Sequence, residues 1–492
     1  MTITQAINAA LSGLRAAQTH AALVGRNVAN AQTPGYVRKD IGLSNYVIGG
    51  TGAGVRVDGI FRRVDELLIR DVRNASSGVG KQEVLAEALG YFTDLVGQPQ
   101  DERSLASALA ALDRVLGELG DTPDSATLQQ TVVTTAEELA AVFHRTDAAI
   151  RRAREDADAR IAEAVRDINS ALDRIHALNK MITARSQSGT DTTDLRDERD
   201  NLIDMIAKEI PIRTLTSDEG EVTIVTQGGT VLLDDQVSYL QFNHSATIPP
   251  GMLYDPTTPG GLSGLEVNGV DIAPGSGYGG AITSGRLAGL FEIRDSVMVR
   301  FQIQIDEAAS QLIAGFQAAD ATVTGTPPTD TGLFTDGGNA HDPTAYVPGL
   351  AGRIAVNDLV KPEVGGELWR VRDGMHAATP GASGDSTQVR QFEAVFDAVM
   401  SFDPAAGLQT SAKLLDFAAA AVSDQHAMRV QAETSLEGQS IAYDTLVTTR
   451  LNRDGVNVDE EMQMLLMIER SYAANAQVLS IANQMINRLF EI

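Results

Sequence analysis

The sequence predicts a multidomain α+β protein in which paired N- and C-terminal coiled-coil helices flank a discontinuous helical bundle with small inserted β-rich domains. Three observations carry this. Heptad-spaced apolar residues open and close the chain, a long proline-free helical stretch runs through its middle, and between Ile210 and Ile282 the apolar period changes to two. At 492 residues the chain exceeds one compact core and calls for about three domains.

At the N-terminal end, Ile3, Ile7, Ala10, Leu14, Ala17, Ala21, Val24 and Val28 alternate steps of four and three, which is a heptad seam. A helix over this span is roughly 40 Å long and too thin to bury its seam alone, so it needs a partner helix. Thr33-Pro34-Gly35-Tyr36 ends it near Asn30: proline's fixed φ suits a type II turn, and glycine supplies the positive φ that follows. At the other end, Leu465, Ile468, Tyr472, Leu479, Ala482, Ile486 and Leu489 share a second seam, interrupted by Asn475. Asn457 with Glu460 three residues later reads as a capping box, and Asp459, Glu460 and Glu461 suit the positive end of the helix dipole. The first 39 residues hold Arg15, Arg26, Arg38 and Lys39 with no acid, whereas residues 455–492 hold five acids against Arg470 and Arg488. The two helices are therefore electrically complementary. Seams at the extreme termini, where chains usually fray, imply ends tied down by partners.

In the middle, Leu128 to Ser186 lacks proline, and Ile161, Val165, Ile168, Leu172, Ile175 and Ile182 continue a heptad. After the Ser188-Gly189-Thr190 break, Leu195, Leu202, Ile203 and Ile206 predict a shorter amphipathic helix folded back on it. With residues 286–319 and 410–452 these make a bundle assembled from distant pieces. Glu221-Val222-Thr223-Ile224-Val225 alternates as a strand, with Gly228-Gly229 and Asn268-Gly269 placed as hairpin turns. Residues 321–386 are rich in Gly, Pro, Thr and Asp, with a strand expected only around Arg353 to Val356. The expected layout is a terminal coiled-coil core (1–60 with 453–492), a helical bundle (61–209, 283–320 and 387–452), an inserted β domain (210–282) and a partly irregular Gly/Pro-rich insert (321–386).

Composition excludes several functions. A formal charge of -26 repels phosphate backbones and anionic lipid, so nucleic acid is not an expected partner. The absence of cysteine removes disulfides, thiolate metal sites and cysteine nucleophiles together. No run approaches the eighteen or so apolar residues of a membrane span. MTITQAINAALSGLRAAQ has no basic residue before Arg15 and no unbroken apolar core, so it is not expected to be a cleavable secretory signal. Asp191, Asp194, Asp197, Asp200 and Asp204 recur at helical spacing; with Arg196 and Arg199 interleaved and no glycine-turned calcium loop, they read as a solvated face. The seven histidines are scattered. Gly50-Thr51-Gly52-Ala53-Gly54 lacks the Lys-Ser or Lys-Thr of a phosphate loop and reads as a flexible connection. No catalytic, metal or cofactor-binding residue is assigned, and the protein is not expected to be an enzyme.

ALSGLRAAQTHAALVGRNVANAQTPGYVRKD resembles the N-terminal signature shared by flagellar rod, hook and junction proteins, and DGVNVDEEMQMLLMIERSYAANAQVLSIANQMINRLFEI resembles their C-terminal signature. Only Asp454 departs, where serine is common. TGAGVRVDGIFRRVDELLIRDVRN at residues 51–74 and DLRDERDNLIDMIA at 194–207 resemble the junction branch of this family. The resemblance implies a structural subunit between hook and filament that seats the filament, exported to the extracellular flagellum unfolded and without a cleavable signal. It implies terminal helices lining an axial channel and packing against neighbouring copies, through Ile7, Leu11, Leu14, Val24, Asn27, Asn30, Leu465, Ile468, Tyr472, Asn475, Leu479 and Ile486, with Thr33, Pro34, Gly35 and Tyr36 forming the turn. The implied partners are further copies of the chain, the hook protein, a second junction protein and an export chaperone at the C-terminal helix. For Asn27 and Asn30, simple helix capping competes with register-fixing contacts to neighbours. Two alternatives stay open from sequence: a rod or hook subunit, whose middle would be β-rich, or a secreted enzyme or adhesin that carries its activity in residues 210–386.

Overall fold

The computed structural model describes residues 3–48, 51–98, 101, 103–258, 260–325, 329–344 and 346–490, and the protein is 61% helical. The order begins with helix α1 (Ile3–Ala29), strands β1 (Lys39–Ile48) and β2 (Thr51–Arg62), then α2 (Glu66–Val96), α3 (Leu105–Asp121), α4 (Ala126–Gln187) and α5 (Thr193–Glu209). Six short strands follow: β3 (Ile212–Thr216), β4 (Val222–Thr226), β5 (Val231–Leu233), β6 (Leu240–Gln241), β7 (Glu266–Val267) and β8 (Val270–Asp271). Helices α6 (Gly285–Glu292) and α7 (Met298–Ala319) are joined by a π-helical turn at Ile293–Val297. Next come β9 (Phe334–Asp336), β10 (Ile354–Val356), the four-residue α8 (Arg370–Asp373), α9 (Thr387–Asp397), β11 (Val399–Ser401) and β12 (Ser411–Lys413). Two long helices, α10 (Leu414–Asp454) and α11 (Val458–Phe490), close the chain. A helical middle of this extent speaks against a rod or hook subunit.

The chain divides into two compact units, one of residues 1–79, 167–240 and 438–492, the other of residues 80–166 and 241–437. In the first, α1 packs along α11 and the β1–β2 hairpin lies against α1. Segment 51–54, expected to be a flexible connection, is part of β2: Gly54 pairs with Tyr46, Gly52 with Val47 and Thr51 with Ile48, while Gly50 lies outside the described residues. The hairpin was illegible because shifts at Gly42/Leu43 and Tyr46/Val47 break the two-residue alternation. Gly54 holds φ +136, and a Cβ there would come within 3.2 Å of the Ala9 Cα, so only glycine lets β2 rest on α1. The sheet β3-β4-β5 completes this unit, its Gln227–Thr230 turn closed by Gly229 donating to the Thr226 carbonyl at 2.9 Å.

The second unit has a densely filled core. Phe316 meets Phe334, Phe392 and Phe396 at centroid distances of 5.2, 5.3 and 5.9 Å; Phe92 stacks on Phe301 and Phe402 on Phe417. Residues 210–282 supply two three-stranded sheets, and β7 and β8 of the second belong here. Asn268 (φ 51) and Gly269 (φ 79) form their hairpin turn. Buried Arg294, in the π-helical turn, donates to Asp158 at 2.6 Å, to Asp295 and to the Ser263 carbonyl, and buried Arg154 donates to the Pro250 and Met252 carbonyls. These arginines tie irregular backbone to α4, where burial would otherwise leave carbonyls unpaired.

Candidate subunit interface

The terminal helices meet along a thin seam. Ala17, Val24 and Ile468 form its buried centre, with Ala21, Val28 and Met464 packed around it, and Ala10 and Ala482 are buried further along. Asn475 breaks the C-terminal seam because it faces Gly13, where a Cβ would lie 2.8 Å from the Asn475 Nδ2. Of the residues expected to face neighbours, Val24 and Ile468 are buried inside the pair, and Ile7, Leu14, Leu479 and Ile486 are half-buried. Leu11, Leu465 and Tyr472 are exposed. The side chain of Leu489 lies outside the described residues. Sequence reasoning missed Leu466, Met467, Val478, Ile481 and Met485, which are 44–55% exposed on α11 and lie off the heptad positions. A single-seam template cannot find residues that give a helix several apolar faces.

At the base of the pair, Asn27 is a saturated node. Its Nδ2 donates to the Lys39 carbonyl (3.0 Å) and to Glu461 (3.1 Å), while its Oδ1 accepts from the Tyr36 hydroxyl (3.0 Å) and the Lys39 amide (3.3 Å). All four hydrogen-bonding positions are used within the chain, so Asn27 neither caps α1 nor has capacity left for a neighbour. Asn30 takes the plainer role: its Nδ2 donates to the Arg26 carbonyl and its Oδ1 accepts from Thr33. The turn then closes with the Tyr36 amide on the Thr33 carbonyl at 3.1 Å and Gly35 at φ +76. Burial pushes the Tyr36 phenol up to about 12, and Lys39 Nζ stands 4.4 Å from its ring centroid.

Charge complementarity between the ends is present but concentrated at one point. Arg38 pairs with Glu460 and Glu461 at 2.9 Å each, and its amide donates to the Asp454 carbonyl. Asn457 accepts from the Asp459 and Glu460 amides, as an N-cap does, but the Glu460 carboxylate turns to Arg38 instead of closing the expected box. Asp454, the position that departs from the family signature, accepts from the Asp65 amide at 3.4 Å; burial holds its carboxyl above the usual range.

The largest correction concerns the aspartates of α5 and its approach, which are not a solvated face. Asp191 and Asp194 meet Arg26, Asp194 and Asp197 meet Lys39, and Asp197 and Asp200 meet Arg62 at 2.7 and 2.5 Å. Asp200 and Asp204 then meet Arg73, and Asp204 meets Arg450 at 3.0 Å. Five cations from five elements thus converge on one acidic ridge, and Lys39, Arg62 and Arg73 are almost fully enclosed. Burial pushes the Asp200 carboxyl up, but Arg62 and Arg73 outweigh it and hold it below the usual range; at Asp197 burial wins and the carboxyl is raised. The interleaved arginines do not neutralise this ridge. Arg199 donates to Asn179 and to the Gly220 carbonyl, and burial lowers it to about 10. The three- and four-residue spacing gave the ridge; its partners, scattered from residue 26 to 450, carry no local signal. Among the described residues no group of His, Asp and Glu is arranged to hold a metal ion, and no helix is long and apolar enough to cross a membrane.

Residues 448–492 match the family model "Flagellar basal body rod FlgEFG protein C-terminal", and residues 92–329 match "Flagellar hook-associated protein FlgK helical domain". Flagellar hook-associated protein 1 of Bacillus subtilis is 21% identical, over 98% of this chain and 97% of that protein. Its namesake in Escherichia coli is 23% identical over 99% of both, and that of Salmonella typhimurium 26% over 46% of this chain and 42% of that protein. A paired-helix base with a rod-type C-terminal helix defines a structural protein of the flagellar axis. The helical middle is specific to one branch of that class, and the chain belongs to the hook-associated protein 1 family.

Proposed function

We propose that this protein is the structural subunit that joins flagellar hook to filament and provides the seat on which the filament assembles. The observation that carries this is the terminal helix pair, which combines a thin internal seam with apolar residues left on other faces of α11. A helix of this kind is complete only when further helices cover it. Copies of the chain supply that cover through Ile7, Leu11, Leu14, Leu465, Tyr472, Leu479 and Ile486, together with Leu466, Met467, Val478, Ile481 and Met485. Val24, Ile468, Asn27 and the ionic ridge hold each pair to its own base. Repeated head-to-tail contacts of this sort generate an open helical assembly. The lower surface meets the hook protein and the upper one a second junction protein.

On this reading residues 1–60 with 453–492 form the axial core, and the protein does mechanical rather than chemical work. Export proceeds unfolded and without a cleaved signal, with a cytoplasmic chaperone covering the exposed α11 beforehand. Cells lacking the protein build hooks without filaments and release flagellin into the medium, since export needs no part of this chain. A fragment of residues 41–440 does not restore filaments, because it lacks both terminal helices. Normal filaments in the null strain overturn the assignment, and absent hooks redirect it to a rod or hook subunit.

A further inference from the structure

Three helices run from one compact unit into the other, and they differ in stiffness where they cross. The crossings fall between Val79 and Gly80 in α2, between Arg166 and Asp167 in α4, and between Glu437 and Gly438 in α10. Helix α4, 62 residues long, contains neither glycine nor proline from end to end. Helix α2 instead crosses within Ser76-Ser77-Gly78-Val79-Gly80, and α10 crosses at Gly438. Glycine inside a helix costs about 1 kcal/mol relative to alanine, so it persists where packing or motion requires it. Packing does not require it at Gly438, where a Cβ would meet nothing within 4 Å. At Gly78 a Cβ would meet only the end of the Gln439 side chain, 2.4 Å from its Oε1, which is free to swing away. That contact also shows that α2 and α10 pass through the first unit at the same level as they approach the boundary. By contrast Gly289, in the second unit, is forced by the Lys81 backbone, 2.8 Å from its would-be Cβ.

We propose that Gly78, Gly80 and Gly438 form a paired helical hinge, and that the two units turn relative to one another about the unbroken α4. One stiff helix beside two softened ones permits torsion around α4 and resists its bending. The hinge follows from the chain's own geometry and does not depend on the flagellar reading. Within that reading, it lets the outward unit yield under load while the terminal pair stays seated.

The test uses the full-length chain, whose lack of cysteine allows clean spin labelling at Thr449→Cys in the first unit and Gln391→Cys in the second. The wild-type background gives a broad inter-label distance distribution, which narrows in G78A/G438A. Amides of residues 74–80 and 435–441 exchange faster than those of 160–172 in α4, and each alanine slows its own site by about fivefold. Gly90→Ala is the control, since Gly90 lies in α2 with nothing within 4 Å but sits inside the second unit; it slows exchange only locally and leaves the distances unchanged. A narrow wild-type distribution overturns the hinge. So does equal narrowing by Gly90→Ala, or protection at the α2 and α10 crossings equal to that of α4.

Discussion

The two compact units are held together by opposite means. The second unit is filled by aromatic packing around Phe316, with arginines such as Arg294 buried beneath irregular loops. The first commits most of its apolar helix surface to no internal partner and fixes its base instead with the α5 ridge. A closed core satisfies itself, whereas a thin seam on an ionic base leaves faces open for assembly. The units should therefore fail differently when attacked.

The largest effect is expected at the ridge. Asp200→Ala strands Arg62 and Arg73 without a shared countercharge, and removing one partner of a buried pair costs about 3–5 kcal/mol. The first unit then becomes the first to melt and to be cut by protease, while the Phe316 core keeps its transition; a uniform loss across both units would show the division to be false. Next comes Leu479→Pro, which interrupts α11 at a cost of about 3 kcal/mol or more. Helicity falls beyond the substitution, the second unit is spared, and filaments are lost. Asn27→Ala leaves the buried Glu461 and the Lys39 backbone short of partners, for about 1–3 kcal/mol, read as earlier proteolysis of the first thirty residues.

Acid sharpens the contrast through sign. Burial raises Asp306 in the second unit from 3.8 to about 6, against hydrogen bonds from Ala351, Gly349, Gln302 and Tyr346 that favour its charged form. A raised carboxyl holds stability below its unfolded value that is lost as pH climbs through its folded one, so this group weakens the second unit between about pH 4 and 6. Asp200 is lowered, so its contribution is present above 3.8 and is lost as pH falls further. Thermal melts of wild type and Asp306→Asn across that window measure the first effect: the dependence disappears in the variant. If the wild-type second unit instead gains stability from pH 4 to 6, the buried Asp306 is not its cause.

What the sequence revealed follows from how far each signal travels along the chain. The seams of α1 and α11, the length of α4, the break before α5 and the Asn268-Gly269 turn are written in local spacing, and all were legible. The α5 ridge was not, because Arg26, Lys39, Arg62, Arg73 and Arg450 become neighbours only after folding. Nor was the β1–β2 hairpin, whose bulges and glycines erase the alternation that marks a strand. Asn27 fell between the two cases: its position beside a seam drew attention, but only folding shows that Tyr36, Lys39 and Glu461 consume all its bonds.

The smallest expected effect on the monomer bears most directly on the central claim that the terminal pair is left open for neighbours. Leu466→Ser, Tyr472→Ser and Ile481→Ser alter exposed side chains, and each should change monomer stability by no more than about 0.5 kcal/mol. The measurement is filament number in null cells complemented with the triple variant, set beside the melting curve of the purified protein. An unchanged melt with bare hooks is the predicted result; filaments at wild-type number would contradict the account.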